Sequence, residues 1–443
     1  MPAVLAGDAF AEVVAAALLA TALAFGGGSR GAGDLVVHLF ALPAFALGVT
    51  RWQLAAASRT QRLFLYWLLA ALVVAAAQLL PLPASLFAAL PQRAQVLADL
   101  HRAGLDPAWL PMTVDTWGTV RALLAVITFA AAWLLVTTLG PDARVRLLKL
   151  MLLLGVAMAL LGFAQAGAGE HSRLRPYDYH HPIGAIGTFA NRNHFADLMA
   201  MLVPLALAFA FAAHSARQLP RAAAWFAVAV LLFLASALSF SRAGILLTAA
   251  ASAFAFIALL KTGAERWRRQ VLPILAIGVA ALAVAVYAWD GIANRMAQDP
   301  LEDLRWQYVT HGLDALRAWL PWGSGLGSFR DVYAPFEPVA AMQQVHALHA
   351  HNDLLEVAIE AGLPGLVLVA GFLALLLKAF LAAFRKRGGR GPLLSTIIPA
   401  AAFAVFVPLL HSFVDYPLRT LSVATVIAIL LAVLMAAHAT RVE

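Results

Sequence analysis

Apolar runs of about twenty residues, long enough to cross a bilayer as helices, recur from one end of this chain to the other. No other feature restricts the fold as tightly. Backbone N–H and C=O groups in lipid must pair within their own segment, so such runs are helices. Twelve are expected, near 9–25, 34–50, 63–80, 118–139, 145–166, 193–213, 222–238, 242–260, 271–288, 353–381, 393–411 and 418–438. A mean hydropathy of +0.83, with 63% hydrophobic and 12% charged residues, fits no water-soluble arrangement of 443 residues. The expected fold class is therefore all-α: a polytopic membrane protein with about twelve transmembrane helices and a long, partly helical outer loop.

Basic residues fall on every second connection. Arg51, Arg59 and Arg62 form one group; Arg144, Arg146 and Lys149 the next; Arg217 and Arg221 follow; then Lys261, Arg266, Arg268 and Arg269; then Arg385, Lys386, Arg387 and Arg390. The positive-inside rule makes these loops, and both termini, cytoplasmic. The net charge of +8 is thereby accounted for, and nucleic acid is not an expected partner. Residues 1–25 lack a basic leader and carry Asp8 and Glu12, so they read as a first span rather than a cleaved signal peptide. The chain has no cysteine, which excludes thiol catalysis, iron–sulfur ligation and disulfides.

The opposite face carries the longer connections, 81–117, 167–192 and 289–352, and most of the histidines, including His171, His180, His181, His311, His346, His349, His351 and His411. Chemistry is expected there. The run HALHAHNDLLEVAIEAGLPG (346–365) concentrates ionisable groups at the mouth of an apolar span. Asp353 with Glu356 has capping-box spacing, and Asn352 could cap equally well. Starting a helix does not require His349 or His351, whose titration range suits proton transfer or a hydrogen bond to a hydroxyl. A metal site on His346, His349 and His351 is the weaker reading, because no further spaced ligand is evident.

Three arginines stand out. Arg242, in ALSFSRAGILL, opens a span on the outer side, where Ser239 or Ser241 can cap; either it snorkels to the outer headgroups, or, as a fixed cation at a helix N-terminus, it makes an anion site. Arg305 lies in an expected amphipathic helix, 301–320, near the centre of the apolar face formed by Leu301, Leu304, Tyr308, Gly312, Leu316 and Trp319. No acid of the chain is an evident partner for it, whereas a ligand phosphate would serve. Arg192 sits among Asn191, Asn193 and His194 at the outer end of the sixth span, where a polar cap is the plain reading. His411, Asp415 and Arg419 share the hairpin HSFVDYPLR, where a functional role and a structural His–Asp contact are equally open. GSGLGSF (323–329) reads as a turn rather than a phosphate loop, since it lacks a preceding strand and the P-loop lysine.

In order, ANRNHFA, SFSRAG, the Arg-Trp helix, PWGSGLGSF, HAHNDLLEVAIEAGLPG and HSFVDYPL resemble the O-antigen ligase and O-antigen polymerase superfamily of bacterial membrane glycosyltransferases. The most specific piece is His351 and Asn352 followed, nine residues on, by Gly362 and then Gly365. The resemblance spans residues 185–420, including the loop 289–352. It leaves 1–184 as spans without a motif and 421–443 as a last span with a cytoplasmic tail. It implies a C-type membrane glycosyltransferase fold and a metal-independent, inverting transfer with no cofactor. A glycan would pass from a polyprenyl (undecaprenyl) pyrophosphate to an acceptor hydroxyl on lipid A–core or on a lipid-linked glycan. The setting is O-antigen, lipopolysaccharide or exopolysaccharide assembly at the bacterial inner membrane, beside membrane lipids and other envelope-glycan assembly proteins. In that reading Arg242, Arg305 and Arg192 hold the pyrophosphate. His351, or His349, engages the acceptor hydroxyl, and Asn352, Asp353, Glu356, His411 and Asp415 support them. A twelve-span transporter or flippase is the alternative from another class, although transporters place ionisable groups near the midplane; an inactive scaffold subunit is a third.

Overall fold

The computed structural model describes residues 7–28, 31–54, 56–169, 172–177, 184–260, 304–339, 342, 347–385 and 392–436. The expected span at 271–288, His171, His180, His181, His346 and the start of the 301–320 helix lie outside the described residues, as do most of the two last basic groups. The long helices are α1 (Asp8–Phe25), α2 (Ala32–Arg51), α3 (Arg59–Ala77), α6 (Thr116–Thr138), α7 (Pro141–Ala168), α8 (Arg192–Ser215), α9 (Leu219–Leu238), α10 (Arg242–Leu260), α13 (Asp353–Arg385), α14 (Pro392–His411) and α15 (Leu421–Ala436). Nine are long and apolar enough to cross a membrane, and α10 and α15 are shorter apolar helices, among the described residues. Together they match the other expected spans. The last begins at Leu421, because Pro417–Arg419 forms a 3₁₀ turn.

Between α3 and α6 lie α4 (Ala84–Ala88), α5 (Arg93–Arg102) and a short antiparallel pair, β1 (Pro81–Pro83) with β2 (Trp109–Pro111), the one departure from an all-α fold among the described residues. α11 (Leu304–Trp319) and α12 (Phe329–Tyr333) precede α13.

In lipid, helices associate by close packing rather than by escape from water. α8 is the centre: nearly all of it is buried, and α7, α9, α10, α14 and α15 pack around it. Gly244 of α10 allows one of these approaches, since a Cβ there would meet the Ala196 Cβ at 2.3 Å. A second contact joins α3, α6 and α13 through Phe64, Trp67, Phe129, Trp133 and Phe372, with ring centroids 4.8–6.4 Å apart.

Two ends of the bundle differ. At one, Arg51 pairs with Asp8 and Arg146 with Glu12. At the other, the starts of α8, α10, α13 and α15 meet the ends of α1, α3, α9 and α14: Ser422 N donates to Gly26 O, Ala185 N to Leu238 O, and Gln78 Nε2 to Glu360 O.

The Gly362–Gly365 spacing has a physical reason. Gly362 breaks α13 with φ +58°, and a Cβ there would lie 2.2 Å from the Pro321 carbonyl. Pro364 has no N–H to give Glu360 O, which accepts instead from Gln78 Nε2 (3.0 Å) and Gly325 N (2.8 Å). Leu363 N turns to Pro321 O, and Ile359 O receives Ser324 N. The glycine-rich turn thus satisfies the backbone groups that the break in α13 exposes.

Candidate functional site

Asn352 caps α13, its Oδ1 accepting from Leu355 N at 2.9 Å. The expected capping box of Asp353 and Glu356 is not formed; both carboxylates are used elsewhere. His351 immediately precedes the cap, with φ +49°, a left-handed conformation uncommon outside glycine. Its ring stacks on Tyr308 of α11 (5.9 Å) and meets Tyr416 edge-on (4.9 Å). The side chain keeps 24% of its surface exposed, and Nδ1 lies 3.3 Å from Asp415 Oδ1.

Asp415 is fully buried and is the point on which the site converges. Asn193 Nδ2 donates to Oδ2 at 2.5 Å, and the Tyr416 N–H to Oδ1 at 2.9 Å. His194 Nε2 is 3.6 Å away, and Arg305 Nη2 3.5 Å. Burial works against the charge, but His194, His351 and Arg305 outweigh it and hold the carboxyl well below its usual range. This corrects the sequence expectation for Arg305: an acid of the chain does face it. The spacing could not show it, because 110 residues separate the pair. The His–Asp contact left open in the hairpin is not formed within it. His411 Nδ1 pairs with Asp197 Oδ1 of α8 at 2.7 Å, both buried, rather than with Asp415.

A second centre adjoins the first. Arg419 Nη1 lies 3.0 Å from both Glu356 Oε1 and Glu360 Oε2, and its Nε 3.4 Å from Asp353 Oδ1. Burial disfavours the cation, yet the carboxylates of Glu356, Glu360 and Asp353 push the Arg419 pKa above its ordinary value. Asp353 also accepts from Ser412 Oγ (2.8 Å), and Glu360 from Phe329 N (3.0 Å). His349 belongs here: it is buried, with Nδ1 2.8 Å from Glu356 Oε1. Tyr416 joins the centres, stacked on His349 at 4.1 Å and edge-on to His194 at 4.9 Å; burial and Asp415 raise its pKa.

The structure therefore brings together His351, His349, Asn352, Asp353, Glu356, Arg305 and Asp415, with His411 alongside. Arg192 is the buried first residue of α8, next to Asn193. Arg242 is the first residue of α10, whose opening turn, capped by Ser241 Oγ on Gly244 N (3.1 Å), packs against α8 at Ala196. Sequence reasoning missed Glu360 and Tyr416 and gave Arg419 no role. Glu360 was within reach: Asp353, Glu356 and Glu360 follow the three–four spacing of one helical face. Among the described residues no group of three or more His, Asp or Glu side chains is arranged to hold a metal ion.

A polytopic helical membrane protein with a buried cluster of histidines, carboxylates and arginines at one end of its bundle is the class that this geometry defines. Residues 227–370 match the family described as O-antigen ligase, the superfamily that the motifs resemble, and glycosyl transfer of the ligase type is the activity this family implies. The matched stretch holds Arg242, Arg305, His349 and His351; Asn193, His194 and the 411–419 hairpin lie outside it. No curated protein matches the chain.

Proposed function

We propose that this protein transfers a glycan from a polyprenyl pyrophosphate, undecaprenyl in the bacterial setting, to an acceptor hydroxyl on the periplasmic face of the inner membrane. The observation that carries the reading is the convergence on Asp415 of His351 and Arg305, from opposite sides of a long loop, at the bundle end away from the basic loops.

The chemistry follows from the pairs. Asp415 beside Nδ1 favours the imidazole tautomer with its lone pair on Nε2, free to take a proton. The 3.3 Å separation is long for a hydrogen bond, as is common before substrate binds. The acceptor O–H gives its proton to His351, its oxygen attacks the sugar C1 from the face opposite the pyrophosphate, and the C1–O bond breaks with inversion. Negative charge builds on the departing diphosphate, where Arg305, Arg242 and Arg192 stabilise it. Arg305 is held ready by Asp415 and exchanges part of that contact for the phosphate. The donor arrives activated, so neither nucleotide nor metal is needed. His349, paired with Glu356 and stacked under Tyr416, orients the ring that faces His351.

Incubating the purified protein with lipid-linked repeat units alone tests the reading and separates its two forms. A ladder of products identifies a polymerase; product only after lipid A–core is added identifies a ligase. No product with either, together with solute flux in proteoliposomes, would favour the transporter.

A further inference from the structure

A cavity of about 530 Å³ opens at the bundle end opposite the histidine cluster, within the size range of ligand sites, about 300–1,000 Å³. Its lining comes from the ends of α2, α6 and α15, the starts of α3 and α7, and the turn between α2 and α3. Three lining residues carry N–H donors that meet no acceptor among the described residues. Arg144 gives Nε to Val136 O (3.1 Å) and Nη2 to Thr137 O (2.7 Å), capping the end of α6, and its Nη1 is left over. Gln61 is buried and accepts the Ser58 N–H through Oε1 (2.7 Å), so its Nε2 is left over. Trp52 Nε1 is the third. Among the described residues no carboxylate lines the cavity, and none pairs with Arg144. Arg51, the other cation of the lining, is already paired with Asp8. Donors shielded from water and left without acceptors are costly, and this cavity collects them around one uncompensated guanidinium.

We propose that this cavity binds the phosphodiester of an anionic phospholipid. The proposal stands apart from the glycosyl-transfer reading and concerns a different face of the molecule. Charge selects the ligand. A phosphodiester carries a single negative charge, which one guanidinium balances, and its oxygens can accept from Arg144 Nη1 and Gln61 Nε2. A phosphate monoester carries about −1.5 to −2 at pH 7, more than this lining compensates. Position selects the source. The walls are the ends of spanning helices and their connections, so the cavity lies at the level of the lipid headgroups. The basic loops assign this end to the cytoplasmic leaflet, where anionic lipids give the surface a negative potential and basic pockets between spans take up their headgroups.

Native mass spectrometry of the full chain in a neutral detergent tests this, with phosphatidylglycerol, phosphatidylcholine and glycerol 3-phosphate as separate titrants. Arg144→Gln removes the cation. Ala57→Glu adds a negative charge to the lining and leaves the caps of α3 and α6 in place, so the test survives a folding defect in the first variant. Arg59→Gln, the control, removes an exposed charge at the same end that does not line the cavity. The wild type is expected to bind phosphatidylglycerol more tightly than either other titrant. Arg144→Gln and Ala57→Glu should weaken that binding about tenfold, as for loss of a hydrogen bond to a charged group. Arg59→Gln should stay within about twofold. Equal affinity for phosphatidylcholine, or unchanged phosphatidylglycerol binding in both lining variants, overturns the proposal. Glycerol 3-phosphate bound as tightly as the lipid assigns the cavity to a soluble anion and overturns it as well.

Discussion

Asp415 carries one buried charge toward which His351, His194, Asn193 and Arg305 all turn. Asp415→Asn keeps the shape and removes the charge, so His351 loses the partner that fixes its tautomer. The expected cost in kcat is about 10²–10⁴-fold, the range for a disabled general base, measured as glycan transfer in detergent. Because the folded-state pKa is lowered, the contribution of this pairing to stability is complete above the ordinary carboxylate range, about pH 4. It is lost only as pH falls through the lower folded value. Wild-type melting temperature should therefore carry no Asp415-dependent change between about pH 5 and 8, which comparing the melting curves of wild type and Asp415→Asn would check. Arg419→Ala should act on stability instead. It leaves Asp353, Glu356 and Glu360 buried without their cation, a loss of about 3–5 kcal/mol, seen as a lowered melting temperature or failure to accumulate in the membrane.

Legibility in the sequence ended where contacts crossed between helices. The apolar runs gave the spans, because lipid permits little besides a helix, and their described ends agreed to within a few residues; the last starts at Leu421 because Pro417–Arg419 forms a 3₁₀ turn. The histidines beside α13 were visible because polar groups are conspicuous in an apolar chain. The pairing of Arg305 with Asp415, and of Asp197 with His411, was not visible, since side chains 110 and 214 residues apart leave no local periodicity. Capping logic likewise assigned Asp353 and Glu356 to local backbone, whereas the Arg419 guanidinium from the next hairpin claims both. The break in α13 was legible only as a Gly-x-x-Gly pattern, and its meaning lies in the turn it receives. Gly362→Ala forces a Cβ to 2.2 Å from Pro321 O at φ +58°, and is expected to cost at least about 1–3 kcal/mol. Gly140→Ala, at a helix start with nothing within 4 Å of the new methyl, should stay within about 1 kcal/mol. Thermal unfolding of the two variants side by side would show whether the α13 break carries this constraint.

One end of the bundle gathers nearly all the polar chemistry, and the opposite end holds paired surface charges. On the proposed function this separation has a reason: a lipid-linked substrate would react where hydrocarbon ends and water begins, and helix starts deliver side chains to that border. Activity is expected to survive EDTA, since the proposed step uses guanidinium groups and an imidazole; a loss restored by a divalent ion would bring back the metal reading. The account stands most directly on one paired measurement, donor binding and turnover in Arg305→Ala and His351→Ala with an undecaprenyl-pyrophosphate-linked glycan. Arg305→Ala should weaken donor binding and cut kcat about 10²–10³-fold, while His351→Ala should bind donor as wild type and lose turnover. Wild-type transfer in either variant, or collapse of donor affinity in His351→Ala, would contradict it.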